Sequence, residues 1–202
     1  MPYLKTQDIA VISLSASLWG ILNSTISPLF FQISGLPFLC DIMGFCALAL
    51  TVWWTRKLGS ATMVGLTATI INFIINPAGV IFLGFTAASV IFDLAIWAIR
   101  YDRVFSKSTH MAASIVPASF LSAAVAGSII GTFFMASPAL VKWGGVLGWA
   151  ALHAAGGIVG GILGFMLIAT VARTKIQDNY DRSSYNEDRN ARSETNVPGL
   201  RT

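Results

Sequence analysis

Residues 65–103 read GLTATIINFIINPAGVIFLGFTAASVIFDLAIWAIRYDR. This is oily helix almost from end to end, yet it carries Asn72, Asn76, Pro77 and Asp93. In water such a stretch would be a core helix pair. In hydrocarbon, two amides and a carboxylate need a reason to be there, because an ionisable group at the bilayer centre costs at least about 2.5–3.5 kcal/mol.

Composition decides between these solvents. The chain has 202 residues, 55% hydrophobic and 11% charged, with a mean hydropathy of +0.71. Soluble domains carry roughly 25% charged residues, so this chain lacks the polar groups to cover a globular surface. A bilayer removes that requirement. The charges are also uneven, since 11 of the 22 lie between Arg173 and Arg201. The basic balance is therefore a loop signal and does not argue for nucleic acid. Cys40 and Cys46 lie six residues apart in one apolar segment; they suit neither a metal pair nor a disulfide framework and read as small buried hydrophobes. Apolar sequence follows Lys5 without a small-residue cleavage site, so the first run is expected to be a retained helix.

Crossing the hydrocarbon takes about 20 apolar residues. Six segments qualify, at 9–29, 38–55, 60–76, 79–99, 112–135 and 144–172, separated by SPLFFQISGLP, TRKLGS, NPAG, RYDRVFSKSTH and ASPALVKWGG. The sequence thus predicts an all-α integral membrane protein, a bundle of six transmembrane helices in residues 1–172. Residues 173–202 are expected to be a disordered polar cytoplasmic tail. With the N-terminus inside, Lys5, Arg56, Lys57, Arg100, Arg103, Lys107, Arg173 and Lys175 fall on the cytoplasmic side with the four tail arginines. Only Lys142 falls outside. The positive-inside rule then places both termini in the cytoplasm, and the expected location is the plasma membrane.

Orientation makes the polar residues informative. Asn23, Asp41, Asn72, Asn76 and His153 come from four helices and converge on the outer half, with Trp19 and Trp149 at similar levels. These seven are the candidate substrate-binding residues. Each has a plainer reading: Trp149 as part of the interfacial aromatic belt, Asp41 as a helix-start carboxylate, His153 as satisfied by a carbonyl, and Asn76-Pro77 as a turn. Asp93 lies nearer the inner face, where an ion pair with a basic residue of another helix is expected. Small residues recur at helical spacing, as in Ala123, Gly127 and Gly131, or Gly156, Gly160 and Gly164, and let helices approach closely.

No P-loop, HExxH or CxxC is present, so neither ATP binding by a P-loop nor a metal or cofactor site is expected. HAAGGIVGG, around His153, is similar to the His-Gly helix of rhomboid proteases. The nearest Ser, Ser128 in VAGSIIG, departs from their nucleophile motif and sits on the preceding helix, so no catalytic residue and no enzyme activity is expected.

From Phe38 to Arg103, PFLCDIMGFCALAL, INPAGVIFLGF and DLAIWAIRYDR resemble S components of energy-coupling factor (ECF) vitamin transporters, in the branch associated with thiamine and hydroxymethylpyrimidine. The resemblance implies a substrate-binding subunit for a small water-soluble vitamin or precursor. Its energy would come from an ECF transmembrane coupling subunit and two ATPase subunits. It also implies docking through small residues of the first helix, here Ala16-x-x-x-Gly20 with Ser13 and Ser17 beside it. The competing readings are a structural or assembly subunit of a membrane enzyme complex and, third, a secondary transporter. The last is weakened by the lack of a series of carboxylates crossing the membrane.

Overall fold

A computed structural model describes residues 3–173, 183–187 and 189. The main unit, Met1–Ile168, is built from helices α1 (Thr6–Ser34), α2 (Phe38–Thr55), α3 (Ser60–Ile75) and α4 (Leu83–Ile99). The short α5 (Tyr101–Val104), then α6 (Ser108–Ile129), the short α7 (Ser137–Val141) and α8 (Gly145–Ala172) follow. A 3-10 turn at Val80–Phe82 leads into α4, and a π-helical segment at Ile130–Phe134 extends α6. Of the second unit, Ala169–Thr202, the end of α8 and the helical residues 183–187 are described. Apart from residues 173 and 189, the rest of the segment expected to be a disordered tail lies outside the described residues.

Five helical stretches are long and apolar enough to cross a membrane: Thr6–Ser34, Phe38–Thr55, Val80–Ile99, Ser108–Phe134 and Gly145–Ala172. This is the pattern of a multi-pass membrane protein. The outward surface agrees with it. Leu14, Ile33, Ile74, Phe133 and Leu147 are between 72% and 89% exposed, a spread of large apolar side chains that water would penalise and lipid accepts. Helix α3 is shorter, at 16 residues, or about 24 Å at 1.5 Å per residue. It packs against both α1 and α4.

Helix α1 runs farther than expected, through Pro28 to Ser34. Proline removes one intrahelical donor and crowds the preceding turn, but it did not end the helix, and Gly35 at φ 72 caps it in the left-handed region. Ala16 is fully buried, and a Cβ on Gly20 would lie 3.0 Å from the Ala68 carbonyl and from Ile71. The expected docking row thus places Ala16 and Gly20 inside this chain, with Gly20 against α3; Ser17 is half-buried and Ser13 exposed.

Glycine rows seat α8 between two neighbours. A Cβ on Gly156, Gly160 or Gly164 would press on Asp41, Ile42, Phe45 or Ala49 of α2. One on Gly157 or Gly161 would press on Ala123, Ser119 or Val116 of α6. Two faces of one helix are stripped of side chains so that two backbones can approach it.

Polar contacts tie the helix termini at one end of the bundle. Asp8 accepts hydrogen bonds from the Lys5 amide at 2.8 Å and the Lys57 ammonium at 2.7 Å, joining the start of α1 to the α2–α3 turn. Asp93 is fully buried, and its Oδ2 accepts from both the amide and the hydroxyl of Thr62 at 3.0 Å. Instead of the expected ion pair, the carboxylate of α4 satisfies a free donor in the first turn of α3, where the helix dipole favours negative charge. Burial, followed by the nearby charge of Asp93, pushes the Tyr101 hydroxyl well above the usual tyrosine range.

Candidate functional site

A cavity of about 320 Å³ opens at one end of the bundle. It is framed by the last turns of α1 and α3 and the first turns of α2, α4 and α8. That end is opposite the one carrying Lys57, Asp8, Thr62 and Asp93.

Its floor is an acid–imidazole pair. Asp41 lies in the first turn of α2 and is fully buried; His153, eight residues into α8, is 1% exposed. The His153 Nδ1 lies 3.1 and 3.0 Å from the two Asp41 oxygens. An ionised carboxylate only accepts, so Nδ1 carries the hydrogen, and in a neutral ring Nε2 is then left as an acceptor. That Nε2 is buried and has no hydrogen-bond partner among the described residues. The local sequence explains the placement. A Cβ at position 156 would lie 2.5 Å from Asp41 Oδ2, and one at 127 would lie 2.9 Å from His153 Cβ. Gly156 and Gly127 therefore make room for the two side chains.

The walls are aromatic. Trp149 and Phe85 meet the His153 ring edge-on at centroid distances of 5.2 and 5.5 Å. Phe31 stands against Trp149 at 6.1 Å, and Phe82 packs on Phe85 at 5.6 Å. Polar atoms interrupt this wall. Asn23 Oδ1, Ser27 Oγ and Trp149 Nε1 are buried without a hydrogen-bond partner among the described residues, and their residues line the cavity.

Asn72 and Asn76 form the mouth beside the NPAG turn. The Asn72 side chain accepts from Ser24 Oγ at 2.8 Å and donates to the Gly79 carbonyl at 3.2 Å, bridging α1 to the turn. The Asn76 carbonyl accepts from the Gly79 amide at 2.9 Å, closing a turn with Pro77 in its second position. A Cβ at position 79 would lie 2.5 Å from Asn72 Nδ2. The side chain of Asn76 is exposed, and both asparagines line the cavity.

Of the seven expected residues, the structure thus brings Asn23, Asn72, Asn76, Trp149 and His153 to the cavity wall. Asp41 stands directly behind His153. Trp19 is 1% exposed and lies behind Phe82 and Phe85, with the Gly44 backbone against its indole. It supports the aromatic wall without lining the cavity. Phe31, Phe82, Phe85 and Ser27 also line the cavity and were not singled out in sequence, and Cys40, expected to be a small buried hydrophobe, is half-buried and lines it too. Phe82 and Phe85 follow NPAG at helical spacing, a signal that was available. Phe31 and Ser27 were hidden by reading the Pro28 region as a connection.

Cys40 stands beside Asp41, and its thiol lies 2.6 Å from the Pro37 carbonyl. One ligand atom each from Cys40, Asp41 and His153 lie within 4.8 Å of one another, which the separate reading of each residue had not brought together. Comparison with known proteins adds no relative: no family model, no curated protein and no solved structure matches the chain.

Proposed function

We propose that the chain is the substrate-binding subunit of an ECF-type importer, taking up a small water-soluble vitamin or vitamin precursor with a flat heteroaromatic ring. In this reading α3 is a sixth, short span. Both termini then face the cytoplasm of a plasma-membrane protein, and the cavity faces outward. The observation that carries the reading is the position of the cavity. It lies wholly at the end that carries Lys142, while Lys5, Arg56, Lys57, Arg100, Arg103 and Lys107 flank the helix ends opposite. The positive-inside rule turns that polarity into an extracellular binding site.

The chemistry of the wall supports the ligand class. Aromatic faces from Phe31, Phe85 and Trp149 suit a flat ring, and such contacts add about 0.5–1.5 kcal/mol beyond burial. His153 Nε2 offers an acceptor to a ring amine, and Asn23 Oδ1 a second one. Asp41 fixes the His153 tautomer from behind and stabilises positive charge that a ligand proton would bring to the ring. Asn72 and Asn76 hold the rim. With neither a P-loop nor a series of carboxylates through the bundle, energy would come from the coupling subunit and its ATPases.

Copurification from the native membrane tests the reading, with tags at Lys142 and in the Arg100–His110 loop. Recovery with a coupling subunit and two ATPases, with the two tags on opposite sides, is the expected result. Recovery with an unrelated oxidase or oxygenase, or both tags on one side, overturns it.

A further inference from the structure

We propose that Cys40, Asp41 and His153 bind one borderline-soft divalent cation, of the Zn2+ or Co2+ kind, in the floor of the cavity. The three side chains come from the first turn of α2 and from α8, and one ligand atom of each lies within 4.8 Å of the others. Thiolate, carboxylate and imidazole together form a donor set that such ions favour over Mg2+ or Ca2+. The site is already partly formed. Asp41 and His153 Nδ1 stand 3.0 Å apart, while two ligands of a tetrahedral zinc stand roughly 3.3–3.5 Å apart. The pair therefore opens by only a few tenths of an ångström. Cys40 must close the remaining gap, about 1 Å, by turning its thiol away from the Pro37 carbonyl.

The second observation is the buried, unpartnered Nε2 of His153. When the cation takes the Nδ1 lone pair, the imidazole hydrogen moves from Nδ1 to Nε2, which has no partner among the described residues and in the metal-bound state donates to the cavity's occupant instead of accepting from it. The Cys40 thiol proton is released to solvent, so each cation bound releases one proton and no redox partner is needed. Three protein ligands leave the fourth position of a tetrahedral ion open. Cys40 and His153 both line the cavity, so that position is available to water or to a nitrogen or oxygen donor of the cavity's occupant. The inference rests on the geometry of the cluster and stands or falls apart from the uptake reading.

The test is Co2+ titration of the tag-free, chelator-stripped full chain in detergent, followed by absorption, with metal content by mass spectrometry. One Co2+ per chain is expected, with a near-ultraviolet thiolate-to-cobalt charge-transfer band that Zn2+ abolishes. Cys40→Ser should remove the band and weaken binding roughly a hundredfold or more, and His153→Gln should weaken it comparably. Cys46→Ser, whose thiol turns toward the Gly160 carbonyl at 3.7 Å, should leave both unchanged. Circular dichroism establishes that each variant is folded. If His153→Gln does not fold, the Cys40→Ser and Cys46→Ser pair still decides. No saturable binding, or a band retained in Cys40→Ser, overturns the proposal.

Discussion

Replacing Gly156 by alanine tests whether the Asp41–His153 pair holds α8 against α2. The new methyl carbon would lie 2.5 Å from Asp41 Oδ2, 2.9 Å from its Cβ and 3.0 Å from its Cγ. The Cβ is fixed by the helix, so the carboxylate must swing aside or α8 must retreat; either separates the pair. Gly164→Ala is the matched control. Its methyl would meet the Ala49 Cβ at 3.0 Å and the Phe45 carbonyl at 3.3 Å, on the same helix face but without the pair. Overpacking of this kind costs about 1–3 kcal/mol, and the alanine returns up to about 1 kcal/mol of helix propensity. The propensity term is common to the two variants, while the closer contact at 156, 2.5 against 3.0 Å, makes its overpacking at least as large. Gly156→Ala alone also loses the hydrogen bonding to a charged group, worth about 1.5–3 kcal/mol. Reversible unfolding in mixed micelles should therefore find Gly156→Ala less stable than Gly164→Ala by about 1.5–3 kcal/mol. In an Asp41→Asn background that gap should shrink. Equal stabilities would refute the reasoning, because the pair would then contribute nothing that a displaced carboxylate loses.

Asp93→Ala should destabilise the protein by about 1–2 kcal/mol, the value of a helix-end acceptor. Unfolding measurements check this, while the contents of the cavity should be unchanged. Asn72→Ala removes both links between α1 and the NPAG turn, and Gly79→Ala drives a methyl into the same amide. Each should raise amide hydrogen exchange at Asn76, Ala78, Gly79 and Val80 over the wild type. Tyr101→Phe should alter the alkaline limb of stability. The folded state raises the pKa of this hydroxyl, so its contribution is complete below the ordinary tyrosine value of about 10. It is lost as pH rises above that value. Unfolding from neutral to strongly alkaline pH should show a shallower decline in the variant.

Much of the fold was legible because bilayer physics acts on composition and on helix length, both local properties. Five long apolar helices stand where the hydropathy placed them, and most of the polar residues expected to converge do line one cavity at one end of the bundle. What escaped were relations between distant segments. Asp41 and His153 are 112 positions apart, so their pairing follows from the glycine rows of α8, whose facing partner no local pattern names. Asp93 was expected to seek a cation, but a helix N-terminus supplied the positive end instead. The Ala16–Gly20 row could have served an inward or an outward face, and its spacing is the same for both. Pro28 hid the last turn of α1, because a proline's local cost says nothing of the packing that offsets it.

The central claim is that the outer cavity holds a small flat molecule against His153 and the aromatic wall. The most direct measurement is untargeted mass spectrometry of the small molecules released on denaturing the purified protein, wild type beside His153→Ala. The account predicts one heteroaromatic compound, released by the wild type in near-stoichiometric amount and lost from the variant while the fold persists. Equal release from both proteins, or no such compound from the wild type, would contradict it.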